Sequence, residues 1–406
     1  MLSTILFIIR TLTPKIGSDS IPPASEDKNW KKITNTIKRN GYELTNIPFP
    51  IKLMYYFLTK LPMELGEPVI NPIVNAKYTV LDYGDRIPVD VIIEKSLDHL
   101  FLKSYGSYFL KPSDREEYKW VVDFTDLEEY DVDPKLYKYG CKAYFSEDSL
   151  RLIVLDDVEC PPSNEIAILR FKATTAFKII VEVHACCIHL STAQNKVIKY
   201  SGNTDYPEIT DLIHLMTYDV LRGNVRLPIL IDEKGLVNRI FGLTTESYTK
   251  IMGKFLKRGP YTREEILGTE GTEWNKKIKN YYLSVTDLFN KMEVNEEIKD
   301  ELIDLFVVSS AMHNNFGDVS TYNLAVDGFL LPKVYISNPG LLSRIDVDVL
   351  NTMLVGISLR YPTLGEEVLT NAFSNDNQRK IWKSWADSLK EDDWFYPLLF
   401  ETSVSF

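Results

Sequence analysis

The chain has 406 residues, of which 45% are hydrophobic and 25% charged, an ordinary balance for a folded globular protein. Its formal net charge of −11 argues against nucleic acid as a partner, because phosphate binding requires a basic surface. Four cysteines are too few for a disulfide framework at this length, and the adjacent Cys186 and Cys187 favour free thiols in a reducing, cytoplasmic compartment.

Residues 1–30 are predicted to form an N-terminal segment followed by a linker. Residues 1–9 are apolar but too few to cross a bilayer, so we expect a short helix that packs on the body. Peripheral contact with a membrane surface is the alternative. Residues 15–30 are rich in proline, serine and charged residues, which predicts a polar linker or surface loop.

Residues 76–160 alternate between apolar and polar side chains, which predicts a small β-rich section. Residues 77–83, 142–145 and 150–155 have the pattern of strands. Residues 146–149 are suited to a turn that joins the last two strands into a hairpin.

The pattern becomes helical after about residue 165. Residues 166–199 contain no glycine or proline, and their apolar residues recur at helical spacing, which predicts one helix carrying His184 and His189. A second helix is predicted to begin after Asn295, a capping residue followed by two glutamates. Its predicted buried face consists of Ile298, Leu302, Leu305, Phe306, Ser309 and Met312. His313 lies at the edge of that face, so we expect it to point into the interior.

His184 and His189 are five residues apart, which is about 140° on a regular α-helix and too far for one metal ion. They converge if the helix widens to the π form with i→i+5 bonding, a feature concentrated at functional sites. The residues alone leave open whether these two histidines, and His313, are ligands or separate buried side chains. His99 and His214 have no companions at ligand spacing and are interpreted as structural.

Two other metal sites can be weighed at the first histidine pair. A zinc site that adds Cys186 and Cys187 is disfavoured, because neighbouring residues point about 100° apart on a helix and the spacing matches no common zinc pattern. A facial triad that combines Glu182 with His184 is disfavoured because these residues lie about 200° apart.

Several blocks of the sequence resemble the lipoxygenase family, in the same order over roughly residues 60–406. Ser310-Ala-Met-His313-Asn-Asn-Phe-Gly317 is similar to the motif that carries the third metal histidine, and His184-Ala-Cys-Cys-Ile-His189 is similar to the first two ligands on a widened helix. Residues 142–156 resemble the hairpin before that helix. The stretch that begins at His214 resembles one whose histidine is not a ligand. Residues 395–406 resemble the family's ending, where the terminal carboxylate binds iron.

The resemblance implies a mainly α fold: a lipoxygenase-like helical catalytic domain with a small β-rich section. Residues 1–406 are then a single domain, with the N-terminal segment and linker at 1–30, the β-rich section at 76–160 and a helical metal-binding body at 165–406. The family's lipid-targeting β-barrel domain is expected to be absent. The resemblance also implies metal ligation, and through it catalysis, by His184, His189, His313 and the C-terminal carboxylate of Phe406. The metal would be non-haem iron, although manganese fits the same ligands.

One further ligand of the family departs from its pattern here. The position four residues after the third histidine holds Gly317 instead of asparagine, and Asn315 aligns through the Phe-Gly that follows it. Asn315 is therefore the candidate for this additional ligand.

The implied function is that of a non-haem iron dioxygenase, which abstracts hydrogen from an unsaturated, fatty-acid-like substrate before O₂ is inserted. Its partners are an apolar unsaturated small molecule and O₂. Catalytic domains of the family are usually well over a hundred residues longer. This difference and the altered ligand support an alternative: a lipoxygenase-derived tailoring enzyme that cyclises, isomerises or forms C–C or C–O bonds on a non-fatty-acid substrate. A third alternative is a non-catalytic binding protein that retains the fold.

Overall fold

A computed structural model describes residues 23–26, 101–102, 105–134, 137–145, 152–156, 170–171, 173–175, 177–200, 206–217, 238, 241–312 and 370–389. The described part is mainly helical and includes one small sheet. The predicted strand at 77–83 and the predicted N-terminal helix lie outside these residues.

Four short antiparallel strands form a meander in the order β1-β2-β3-β4. They are β1 (Leu110–Pro112), β2 (Trp120–Asp123), β3 (Lys142–Phe145) and β4 (Leu152–Asp156). The predicted pairing of the two hairpin strands is confirmed, because Lys142 pairs with Asp156 and Ala143 with Leu155. The predicted turn at residues 146–149 lies outside the described residues. The first two strands lie inside the predicted β-rich section but were not individually predicted, since β1 has only three residues.

Aromatic side chains fill the space between the sheet and the helix that follows it. The Phe101 ring lies 5.5 Å from that of Phe145 and 5.6 Å from that of Phe171, and Phe124 completes the group. All four rings are fully buried. Aromatic pairs at such distances bury large areas and favour tilted geometries, so this group attaches the sheet to the helical body.

The helices follow in a simple order. A long π-helix at Lys178–Val197, here called the histidine helix, continues into one α-helical turn at Ile198–Tyr200. After it come α1 (Thr210–Thr217), α2 (Thr245–Arg258), α3 (Arg263–Leu267) and α4 (Glu273–Lys291). The last two helices within the described ranges are α5 (Glu296–Val307), which ends in a π-turn at Val308–Met312, and α6 (Asp376–Leu389).

The predicted start and buried face of α5 are confirmed. Asn295 caps the helix by accepting a hydrogen bond from the backbone N–H of Glu297, at 2.9 Å. All six residues of the predicted face are buried. α5 packs against α4, where Phe289 meets Phe306 edge to face, and against Trp382 and Trp385 of α6.

Asp211, in the first turn of α1, joins parts of the chain that are far apart in sequence. Its Oδ1 accepts the backbone N–H of Ala24 at 2.9 Å. Its Oδ2 accepts the backbone N–H of Ser374 at 2.7 Å and the hydroxyl of Ser374 at 2.5 Å. Part of the predicted linker, residues 23–26, is therefore a turn attached to the helical body.

Among the described helices, none is both long enough and apolar enough to cross a membrane.

Candidate metal centre

The histidine helix is widened along its whole length, as the spacing of His184 and His189 requires if the two are to converge. The prediction was a single π-bulge, whereas the π form extends over 20 residues. In this form, residues five apart take the place that residues four apart have in an α-helix, nearly above one another. His184 is half-buried on this helix, and residue 189 lies within it, although the side chain of His189 is outside the described part of the structure.

Apolar side chains are buried on more than one side of the helix over residues 181–188. Val181, Val183, Cys186, Cys187 and Ile188 are all buried. A helical stretch enclosed in this way belongs to the interior rather than to an amphipathic surface. His184 therefore lies on an interior element.

Arg258, the last residue of α2, contacts two residues of the histidine helix that are five apart. Its Nη1 donates a hydrogen bond to the Cys187 sulfur at 3.0 Å, and its Nε lies 3.6 Å from Glu182 Oε1. On an α-helix these two residues would lie about 140° apart. The i, i+5 convergence is thus visible in described side chains, two residues before each histidine of the pair.

Glu182, considered above as a metal ligand, is engaged in ion pairs instead. Its second carboxylate oxygen lies 3.0 Å from Lys178 Nζ, and Lys178 also contacts Asp126 at 2.8 Å. Both carboxylate oxygens of Glu182 therefore face cations, which leaves the facial triad with His184 disfavoured.

The cysteines of the alternative zinc site point to different neighbours. Cys187 contacts Arg258, whereas the Cys186 thiol lies 3.8 Å from the sulfur of Met252. Burial raises the pKa of the Cys187 thiol to about 11 and raises that of Cys186 well above its ordinary value. The two thiols therefore face separate partners and do not converge on one point, which leaves the zinc site disfavoured.

A second π segment stands directly before His313. Within the turn Val308–Met312, the hydroxyls of Ser309 and Ser310 donate to the carbonyl of Phe306 at 2.9 and 2.6 Å. The Tyr281 hydroxyl of α4 lies 2.7 Å from that of Ser310, and it must donate there because Ser310 donates to the carbonyl. This chain of hydrogen bonds holds the backbone that leads to His313.

The remaining predicted site residues are placed only in part. His313, Asn315 and Phe406 lie outside the described residues, as does His99. His214 is fully buried on α1. Within the described ranges, no three His, Cys, Asp or Glu residues are grouped so as to hold a metal ion; of the four predicted ligands, only the side chain of His184 falls within those ranges.

Sequence reasoning did not find Arg258 or Tyr281. Arg258 is 71 residues from Cys187, and Tyr281 is 29 residues from Ser310. Arg258 stands before Gly259-Pro260, which marks the end of a helix but carries no chemical signal. No local pattern in the sequence indicates either contact.

The fold is lipoxygenase-like. The chain aligns with a solved structure of the manganese lipoxygenase of Gaeumannomyces graminis, reported together with a partial zonadhesin of Komagataella pastoris. The alignment has a TM-score of 0.58 and 10% identity over 95% of this chain and 100% of that chain. A lipoxygenase variant described as Delta413-417:GS LOX aligns with a TM-score of 0.57 and 12% identity, over 92% of this chain and 74% of that one. A derivative of that variant with one further substitution gives 0.57 at 11% identity.

Comparisons of sequence alone find no relative of this chain. No protein-family model matches the chain, and no curated protein matches it. At 10–12% identity the structural likeness establishes the fold. Activity, metal and substrate have to be argued from the residues of this chain.

Proposed function

We propose that this protein is a metal-dependent oxidoreductase of the lipoxygenase type. The observation that carries the proposal is the widened histidine helix, on which Glu182 and Cys187 converge at i, i+5. His184 and His189 repeat that spacing two residues later. Single π-helical turns are frequent at functional sites, and here the longer π form coincides with the segment that resembles the first two ligands of the family.

The proposed ligands are His184, His189, His313 and the terminal carboxylate of Phe406, with Asn315 as the additional candidate. Three neutral imidazoles and one carboxylate suit non-haem iron or manganese. When bound, such a metal supplies one-electron redox chemistry. In this proposal the histidine helix would present His184 and His189, and the segment that follows the π-turn would present His313. The buried apolar neighbours of His184 along the helix would limit the access of water.

The proposed reaction is hydrogen abstraction from an apolar unsaturated substrate followed by insertion of O₂. The first experiment measures metal content, oxygen uptake and the formation of conjugated-diene hydroperoxide by purified protein with polyunsaturated fatty acids. We expect about one iron or manganese per chain and oxygen consumption coupled to diene formation. Turnover of an unsaturated substrate without net oxygenation would instead support the tailoring alternative. Failure to bind either metal after reconstitution would support the binding-protein alternative.

A second experiment tests the terminal carboxylate. Deletion of Phe406, or addition of residues after it, should strongly reduce metal content and activity while the melting temperature of the metal-free protein changes little. Phe406→Ile keeps a main-chain carboxylate at position 406, so this control should retain the metal. If an extended C-terminus leaves metal content and turnover unchanged, the terminal carboxylate is not a ligand.

A further inference from the structure

The Arg258 guanidinium connects four partners that come from three parts of the chain. Beyond Glu182 and Cys187 on the histidine helix, its Nη2 donates to Glu265 Oε1 at 2.6 Å and to the hydroxyl of Tyr108. The side chain is only 19% exposed. Burial by itself would lower the pKa of Arg258, but the acidic groups around the guanidinium, Tyr261 and Cys187 foremost, raise the pKa above its ordinary value. The fork is therefore charged and its N–H donors are directed to separate acceptors.

Local structure holds Glu265, which accepts a hydrogen bond from the Arg258 guanidinium, in place. α3 begins with a capping box in which Glu265 Oε2 accepts the backbone N–H of Thr262 at 2.9 Å, and Thr262 accepts the backbone N–H of Glu265 at 3.3 Å. The other carboxylate oxygen of Glu265 remains for Arg258. The guanidinium is consequently fixed by a helix N-terminus that does not belong to the histidine helix.

The contacts among Arg258 and its neighbours on the histidine helix favour the π form over the α form. Lys178, Glu182 and Cys187 are spaced by four and five residues, and all three lie in one connected group with Arg258. On an α-helix, Lys178 and Cys187 would be on opposite sides, because nine residues rotate by about 900°. In the π form, nine residues are close to two turns, so the three side chains share a face. Reverting to the α form would separate Arg258 from Glu182 or Cys187 and leave a buried charge or thiol without its partner.

We propose that Arg258 is a positioning residue that holds the histidine helix in its widened form and thereby brings His184 and His189 into register for one metal ion. This inference rests on the proposed function and deepens it. Arg258 acts from the face of the helix that bears Glu182 and Cys187. A planar fork that reaches both residues suits this role, whereas lysine would supply the charge without the second contact.

The first test uses metal-free protein, so its outcome does not depend on whether the chain binds metal. Amide hydrogen exchange is followed by mass spectrometry on peptides that cover residues 178–197, in wild type, Arg258→Met and Arg258→Lys. The matched control is Arg379→Met on α6, which removes an arginine that donates to the Phe373 carbonyl at 2.7 and 3.1 Å. We expect faster exchange around residues 182–189 in Arg258→Met, an intermediate effect in Arg258→Lys, and no local change in the control. Exchange in Arg258→Met equal to that of wild type would overturn the proposal.

The second test measures the metal. If wild type binds iron or manganese, Arg258→Met should weaken metal affinity by about 10- to 100-fold and alter the electron paramagnetic resonance spectrum of the bound ion, as the loss of supporting residues around metal sites does. Glu182→Gln should act in the same direction. Arg379→Met should lower the melting temperature without altering the spectrum. A variant Arg258→Met that is less stable but has unchanged affinity and spectrum would show that Arg258 is merely structural. Absence of metal from wild type would refute the proposed function and leave the exchange result standing.

Discussion

Asp123 shows how single side chains set the pH response of the β-rich section. It ends β2, where its carboxylate accepts the backbone N–H of Thr125 at 3.0 Å and the hydroxyl of Thr125 at 2.6 Å. Lys142 of β3 lies 2.9 Å away. Burial raises the pKa of Asp123, but the hydrogen bonds and the ion pair outweigh burial and lower it below the ordinary value.

A lowered pKa in the folded state means that the unfolded chain binds more protons in acid. The contribution of Asp123 to stability is therefore present above pH 4 and is lost as the pH falls through the folded pKa. We expect Asp123→Asn to reduce the loss of unfolding free energy between pH 5 and pH 3, by no more than about 1 kcal/mol because the side chain is one-third exposed. Urea denaturation of both proteins between pH 3 and pH 5 measures this difference in unfolding free energy. Asp287→Asn, which breaks an exposed pair with Lys291, is the control.

At the scale of elements, the histidine helix and the π-turn at the end of α5 depend on polar contacts from neighbouring helices. α2 supplies Arg258 to the histidine helix, and α4 supplies Tyr281 to the π-turn at the end of α5. In the π-turn, serine hydroxyls bond to a backbone carbonyl, a local alternative to the regular helical ladder. Each widened segment is thus supported by a side chain from another helix.

Tyr281→Phe removes the donor to Ser310 while keeping the buried ring. We expect a loss of about 1 kcal/mol of unfolding free energy, the usual contribution of one hydrogen bond. If the proposed function is correct, Tyr281→Phe should also weaken metal binding, because the π-turn leads directly to His313. The control is Ser284→Ala, also on α4, which removes the hydroxyl that accepts a 2.8 Å hydrogen bond from Trp385 Nε1. If both variants lose similar stability and neither changes metal affinity, the π-turn does not position a ligand.

At the scale of the whole molecule, α4, α5 and α6 share one apolar contact. Trp382, Trp385 and Phe306 pack at 5.2 to 6.0 Å between ring centroids, and Tyr281 stacks on Trp385. Asp211 connects this assembly to the turn at residues 23–26. The Asp211 carboxylate therefore binds Ala24, which is 187 residues away in sequence, and Ser374, which is 163 residues away.

Asp211→Ala would leave the backbone N–H groups of Ala24 and Ser374 without their acceptor. We expect a loss of about 2–4 kcal/mol of unfolding free energy, since a buried unsatisfied donor costs about 1–3 kcal/mol and the bond from the Ser374 amide is only partly buried. Limited proteolysis should show earlier cleavage near residues 23–26 and 370–376. Ser374→Ala removes only the hydroxyl bond and should have a smaller effect on both measurements. Equal effects of the two substitutions would contradict the idea that the Asp211 carboxylate holds both backbone segments.

The sequence determined the elements whose signals are local. The cap at Asn295, the buried face of α5 and the hairpin of β3 and β4 were predictable, because capping chemistry and apolar periodicity act within a few residues. The i, i+5 spacing of His184 and His189 also raised the question of a widened helix. The ligand set, His184 included, remains a prediction from resemblance.

Only the tertiary structure decided that the histidine helix is widened, and over what length. The α and π forms differ by a small shift in each hydrogen bond, so the local sequence does not select between them strongly. Selection comes from partners brought close by folding, above all Arg258, which is 71 residues from Cys187 along the chain. A contact at that separation has no signature in local periodicity, which is why the spacing of the two histidines could suggest a widened helix but could not establish it.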